Sequence, residues 1–356
     1  MKKFFLTFFS LALSIVLCFS LAGCNGCNES VLAFSNNFSG QSGTAPTNYT
    51  EVLTYDIDYV EDYNNGYVIK SANLTDNVIK CDYSGKLVQT FEIVSILPSW
   101  VNEKDHVDVG QNRIYHLTSE ATINATYYLN GSETPQVFTD KVYQEVYFLP
   151  ANMSFAPIYS KVEQENTLVH YYNDSNATSL IRYKYLTETT YGNKNYTMDK
   201  AITEFLGSEN EKTTTSSTQR KYDFRQVIDN TQFIFATRNV NISQDASVSL
   251  PVQSLSYGYP VSLLIKNVNE RTLPALPLTY NGTSITEDVQ IQEFAYRINS
   301  SKNAGAAQFV LVQKQGTEKL PYNALPIQIV ETLTTYSSFE SLGALVYTLT
   351  DVSIVK

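Results

Sequence analysis

The sequence predicts a mainly β protein, and three observations carry that expectation. Strand formers abound: the 356 residues include 26 Tyr and 18 Phe, with plentiful Thr, Val and Ile. Apolar and polar residues alternate one by one along many stretches, the period of a strand with one buried and one wet face. Only residues 229–238 read as a helix, with Asp229 or Asn230 placed to cap it and Phe233, Ile234 and Phe235 too apolar for a loop.

Taken in order, residues 52–60 set Leu53, Tyr55, Ile57 and Tyr59 against Thr54, Asp56 and Asp58, so Asp56 and Asp58 belong to a solvated face. A turn signal, Asn64-Asn65-Gly66, precedes Tyr67-Val68-Ile69. Further strands are expected at 86–96, 113–117, 121–129, 136–149, 179–190, 261–269, 289–298, 306–314, 327–334 and 344–355. Several exceed the usual five or six residues, which points to long, curved strands. Residues 208–220, with the run Thr213-Thr214-Thr215-Ser216-Ser217-Thr218, lack apolar contrast and read as an exposed loop inside one domain.

The N-terminus reads as an export signal. Lys2 and Lys3 precede an apolar run from Phe4 to Phe19, too short for a membrane span of about 20 residues and typical of a cleaved signal. It ends in Leu21-Ala22-Gly23-Cys24, which resembles the bacterial lipobox. That resemblance implies cleavage before Cys24, acylation of its thiol and anchoring at the outer face of a membrane; an ordinary signal followed by an unrelated cysteine is the other reading. Two or three acyl chains hold a protein firmly. Asn25 is not the aspartate that would favour retention in an inner membrane. The expected organisation is a signal at 1–23, a lipidated tether at 24–50 rich in Asn, Ser, Gly and Thr, and a single β-rich domain at 51–356.

Composition excludes some partners. The net charge is −10, and −12 once residues 1–23 with their two lysines are gone, which argues against nucleic acid and against adhesion to anionic lipid. Cys27 and Cys81 remain as either two thiols or one bridge.

No constellation points to an enzyme or a cofactor. Asp105-His106-Val107-Asp108 holds metal-ligand types within one turn but reads as a solvated acidic loop. His116 and His170 read as strand residues. Trp100 is either a stacking platform on a loop or a plug at the end of the core. No nucleophile elbow, zinc-protease helix or phosphate loop is present in the sequence.

The segment Ile228 to Val240 followed by Ser247-Val248-Ser249-Leu250-Pro251-Val252 resembles a signature of exported bacterial proteins related to the LolA/LolB lipoprotein carriers. In those proteins a short aromatic helix ending in Leu-Arg leads into a strand, and Thr237-Arg238 stands there here. Leu325 to Glu331 resembles their Pro-Val-Arg-Ile-Glu strand, with Gln328 where the arginine is usual. Leu342 to Leu349 resembles their closing strand, and Leu53 to Tyr59 their first. This body is longer than the usual family domain, so 64–129 and 209–220 are candidate insertions.

The resemblance implies a curved antiparallel sheet forming an incomplete barrel around one short helix, with an apolar cavity between them. Either side chains fill that space or an apolar ligand does. The expected function is that of a membrane-anchored extracytoplasmic lipoprotein, holding a lipid, acyl chain or lipidated partner in a cavity lined by Phe233, Ile234, Phe235 and Val240. The alternative is a surface-interaction or adhesion protein with a solid core, built as two β-sandwiches divided near Pro150 and using Tyr183 and Tyr185 on exposed strand faces.

Overall fold

The computed structural model describes residues 49–61, 78–110, 113–129, 131–150, 155–171, 178–221, 227–238, 240, 242–253, 260–298, 308–321, 324–334 and 341–355. The signal, Cys24, Cys27, the tether up to residue 48, and the turn and strand expected at 64–69 lie outside them.

The described residues form fifteen strands, most of them with apolar and polar residues in alternation. They are β1 (Thr50–Val60), β2 (Val78–Val94), β3 (Ile114–Leu129), β4 (Gln136–Phe148), β5 (Pro157–Tyr171), β6 (Thr178–Tyr191), β7 (Asn195–Glu204) and β8 (Lys212–Lys221), then β9 (Ile228–Asp229), β10 (Ser247–Gln253), β11 (Pro260–Tyr280), β12 (Thr283–Ile298), β13 (Gln308–Gln313), β14 (Pro326–Thr334) and β15 (Ser341–Val355). A short helix, α1 (Ser99–Asn102), lies between β2 and β3, and α2 (Phe233–Thr237) follows β9 after a 3-10 turn at Asn230–Gln232. The protein is mainly β, as the sequence predicts.

All fifteen strands join one sheet in the order β8-β7-β6-β5-β4-β3-β2-β1-β15-β14-β13-β12-β11-β10-β9. Consecutive strands pair antiparallel, except for the parallel pair β9 and β10. The first and last strands meet in the middle, Thr50 opposite Val355 and Val60 opposite Ala344. β11 bends at irregularities between Asn267 and Asn269 and between Leu273 and Leu276. Its end pairs with β15 at Thr279 and Tyr280, so β11 to β15 return on themselves at one corner while the sheet of described strands keeps two edges, β8 and β9.

Two expectations are corrected by this topology. β4 and β5, on either side of Pro150, are paired neighbours, so the strands do not divide there into two sandwiches. Residues 212–221 form a strand paired with β7 over ten residues rather than a loop; a backbone ladder needs no apolar side chains.

The main core lies on the sheet face that carries Tyr55, Ile57, Phe91, Leu117 and Val146, all at most 5% exposed. A second cluster, Leu97, Val101, Val107, Ile114, Tyr147, Leu149 and Tyr159 among its members, forms against the other face of β3 to β5 under the connection that holds α1. Gly85 marks a close approach of β2 to β3: a Cβ there would sit 2.2 Å from the backbone oxygen of Thr122.

Candidate functional site

The segment from Asp229 to Arg238 runs through the core, and all ten residues are buried at 6% exposure or less. Asp229 caps the 3-10 turn at its start, accepting the Thr231 amide at 2.8 Å on Oδ1; the α-helix expected over 229–238 is confined to Phe233–Thr237 and has no side-chain cap. Asp229 Oδ2 accepts the hydroxyls of Ser160 at 2.6 Å and of Tyr191, which fixes the start of the segment to β5 and β6. Gln232 donates to the Phe155 carbonyl at 2.7 Å.

The aromatic rings named from the sequence turn into the core. Phe235 stands 4.5 Å from Phe91 and 5.4 Å from Phe148, with Phe155 and Tyr115 at 6.2 and 6.4 Å. Phe233 packs on Tyr296 of β12 at 4.6 Å. One segment thus bridges strands from both halves of the sheet. Ile234 is 2% exposed, and Val240 packs, half-buried, against the same core. Burial of each such side chain is worth about 1.5–3 kcal/mol.

Arg238 closes the segment with a buried ion pair. Its Nη1 and Nη2 meet Glu51 Oε1 and Oε2 at 2.5 and 3.1 Å, and its Nε donates to the Ala324 carbonyl at 2.9 Å. Glu51 also accepts the Tyr49 hydroxyl at 3.0 Å. Burial works against the guanidinium's charge, but Glu51 outweighs it and holds the group above its ordinary value. Beside this pair is a cleft of about 280 Å³, counting the solvent at its mouth, lined by Leu53, Gln89, Phe91, Leu117, Phe235 and Pro326 among others. Its enclosed space is only about 10 Å³, room for roughly one water molecule.

A second cluster, which sequence reasoning missed, lies on the opposite face. His116 stacks on the Tyr147 ring, centroids 4.2 Å apart and planes 6° from parallel. Its Nε2 is 2.9 Å from Glu145 and its Nδ1 3.4 Å from Glu92; both contacts are hydrogen bonds only when both ring nitrogens carry a proton. Tyr147 also donates to Glu145 at 3.0 Å. Burial pushes the Glu145 carboxyl up, but the bonds from His116, Tyr147 and Tyr143 outweigh it and hold it below the ordinary range. Trp100 meets Tyr159 and Tyr147 edge-on at 5.0 and 6.3 Å and is 43% exposed. It therefore caps the outer cluster instead of plugging the end of the main core. No sequence signal links these residues, because hairpin registers alone bring them together.

The other candidates fall elsewhere. Tyr183 and Tyr185 are 2% and 6% exposed, which corrects the expectation that they face solvent. Asp56 lies on the wet face with Lys86 at 3.7 Å. His106 binds the Val107 carbonyl through Nδ1 at 2.7 Å and Asp108 accepts the Gly110 amide; among the described residues no group of His, Cys, Asp and Glu is arranged to hold a metal ion. His170 is on β5, its side chain outside the described residues. Gln328 donates to Thr348 at 3.3 Å. Cys81 is buried, and burial raises its thiol pKa. Among the described residues no helix is long and apolar enough to cross a membrane.

Comparison with known proteins finds a likeness among solved structures. No family model and no curated protein matches the chain. Among solved structures, the crystal structure of a β-barrel-like protein of the domain of unknown function DUF1849 from Brucella abortus aligns with 88% of this chain and 100% of its own, at 8% identity and a TM-score of 0.39.

Proposed function

We propose that the chain is a non-enzymatic, extracytoplasmic lipoprotein, anchored through acylated Cys24, that holds its sheet wrapped as an incomplete barrel and meets its partner with the outside of that sheet. The observation that carries this reading is the filled interior. The space an apolar ligand would take holds Phe233, Ile234, Phe235 and Ala236, at most 4% exposed. Close packing of this kind favours a sealed interior over one that holds a second molecule. The lipobox-like Leu21-Ala22-Gly23-Cys24 supports the anchor, and the acidic balance supports a protein partner over nucleic acid.

The second reading, a carrier of a lipid, acyl chain or lipidated protein, is favoured by the cleft beside Phe235, whose apolar wall of Leu53, Phe91 and Leu117 would lengthen if the segment moved. Native mass spectrometry of the full chain after organic extraction and re-exposure to membrane lipid separates the two. An apo mass supports the sealed interior. A bound amphiphile that disappears in a folded Phe233→Asp, Phe235→Asp variant establishes the carrier. For the anchor, an alkyne-tagged fatty acid should label the wild type and not Cys24→Ser; label retained by the variant removes the lipoprotein reading.

A further inference from the structure

The sheet treats its two edges differently. β9 is two residues long, and Ile228 and Asp229 are buried. β8 is ten residues long, with every residue but Thr218 exposed. Its register with β7 is uninterrupted from Lys212 opposite Glu204 to Lys221 opposite Asn195, so alternate N–H and C=O groups of the outer side point away from the sheet in a straight row. Natural edges are guarded by shortness, proline, bulges or central charges. The stretch from Thr213 to Gln219 has none of these, and its threonines favour extended backbone.

Charge sits only at the ends of this edge. Lys212 and Arg220 share one face, eight residues and about 27 Å apart at about 3.4 Å per residue, and Lys221 is on the other face. Self-pairing about a two-fold axis between Ser216 and Ser217 would set Lys212 against the second copy's Lys221. With the axis at Ser216, Lys212 would face Arg220. Like charges directly opposite are destabilising.

We propose that β8 is a docking edge that takes an extended segment of a partner protein by strand addition, the segment having a neutral centre flanked by carboxylates. The backbone ladder would supply affinity, and the cations at the two ends would pin the register. This deepens the outward-facing reading above and rests on it.

Fluorescence anisotropy of the full chain in detergent micelles tests the proposal with two synthetic eleven-residue peptides of identical Thr/Ser/Val centre, one ending in Glu at both ends and one in Lys. The Glu-flanked peptide should bind at least tenfold tighter and lose binding to Ser216→Pro, which removes an outer-edge donor or twists the row. The Lys212→Glu, Arg220→Glu variant should reverse the preference. Equal affinity for both peptides, no binding of either, or binding indifferent to all these substitutions overturns it. So does a concentration-dependent dimer abolished by Ser216→Pro, which would make a second copy the occupant. A bound amphiphile in the native mass would instead sink the outward-facing reading, and the peptide titration would still read as stated.

Discussion

Arg238 and Glu51, 187 residues apart in the chain, form a two-pronged ion pair with both side chains at most 2% exposed. The pair ties the end of the core segment to the first strand at the centre of the sheet. Removing one partner strands the other charge in the core, whereas replacing both with apolar groups of similar volume is often near neutral. Arg238→Met should therefore cost about 3–5 kcal/mol, and Arg238→Met with Glu51→Leu substantially less than either single change. Urea denaturation of the four proteins measures this; additive losses would refute it.

Phe235 touches four aromatic rings, so Phe235→Ala should cost about 3–5 kcal/mol, with Phe235→Leu costing clearly less. Thermal and chemical unfolding of both variants checks the order. A loss under about 1 kcal/mol for alanine would mean the segment is not packed as described.

Gly85 has backbone where a side chain would go, its added Cβ lying 2.2 Å from the Thr122 oxygen and 2.9 Å from the Ile123 Cα. Gly85→Ala should destabilise by about 1–3 kcal/mol or more through overpacking, although alanine ordinarily suits a strand better than glycine. An unchanged unfolding midpoint would count against the β2–β3 register.

Asp140 is buried beneath Thr167, whose hydroxyl it accepts at 2.9 Å, and burial pushes its carboxyl up from 3.8 to about 6. A carboxyl raised on folding contributes stability that is complete below the unfolded value and lost as pH rises through the folded one. The loss lies between about pH 4 and 6 and reaches about 3 kcal/mol. Asp140→Asn keeps the acceptor without the charge, so it should be more stable than wild type at pH 8 and lack the decline across that window. Equal pH profiles would contradict this.

Much of the fold is legible in the sequence where one strand face is apolar. Leu53, Tyr55 and Ile57 are buried at 3, 0 and 1%, and the strand they announce is there. β5 escapes notice because buried positions such as Gln164 and Asn166 are polar, which erases the contrast that alternation needs, and β7 because only Tyr196 and Met198 of its residues are buried. β8 escapes because neither of its faces is covered. Asp229 and the apolar run after it are legible as a capped helical start, since a local hydrogen bond makes the cap, but the cap serves a 3-10 turn and the α-helix is limited to Phe233–Thr237. Glu51 as the partner of Arg238, and Glu145 as the partner of His116, are not legible, because tertiary contacts between distant strands create them.

The pairing of β1 with β15 has a consequence for how the chain reaches this state. Its seam joins residue 50 to residue 355, so the two halves cannot become one sheet until the last strand is available. Contacts so far apart in sequence are slow to form. Until then β1 and β14 each present an unsatisfied strand side, the condition under which extended chains pair wrongly with their neighbours. A chain trimmed of its last fifteen residues would thus lose its midline, and its β8 wing would be left with nothing to join.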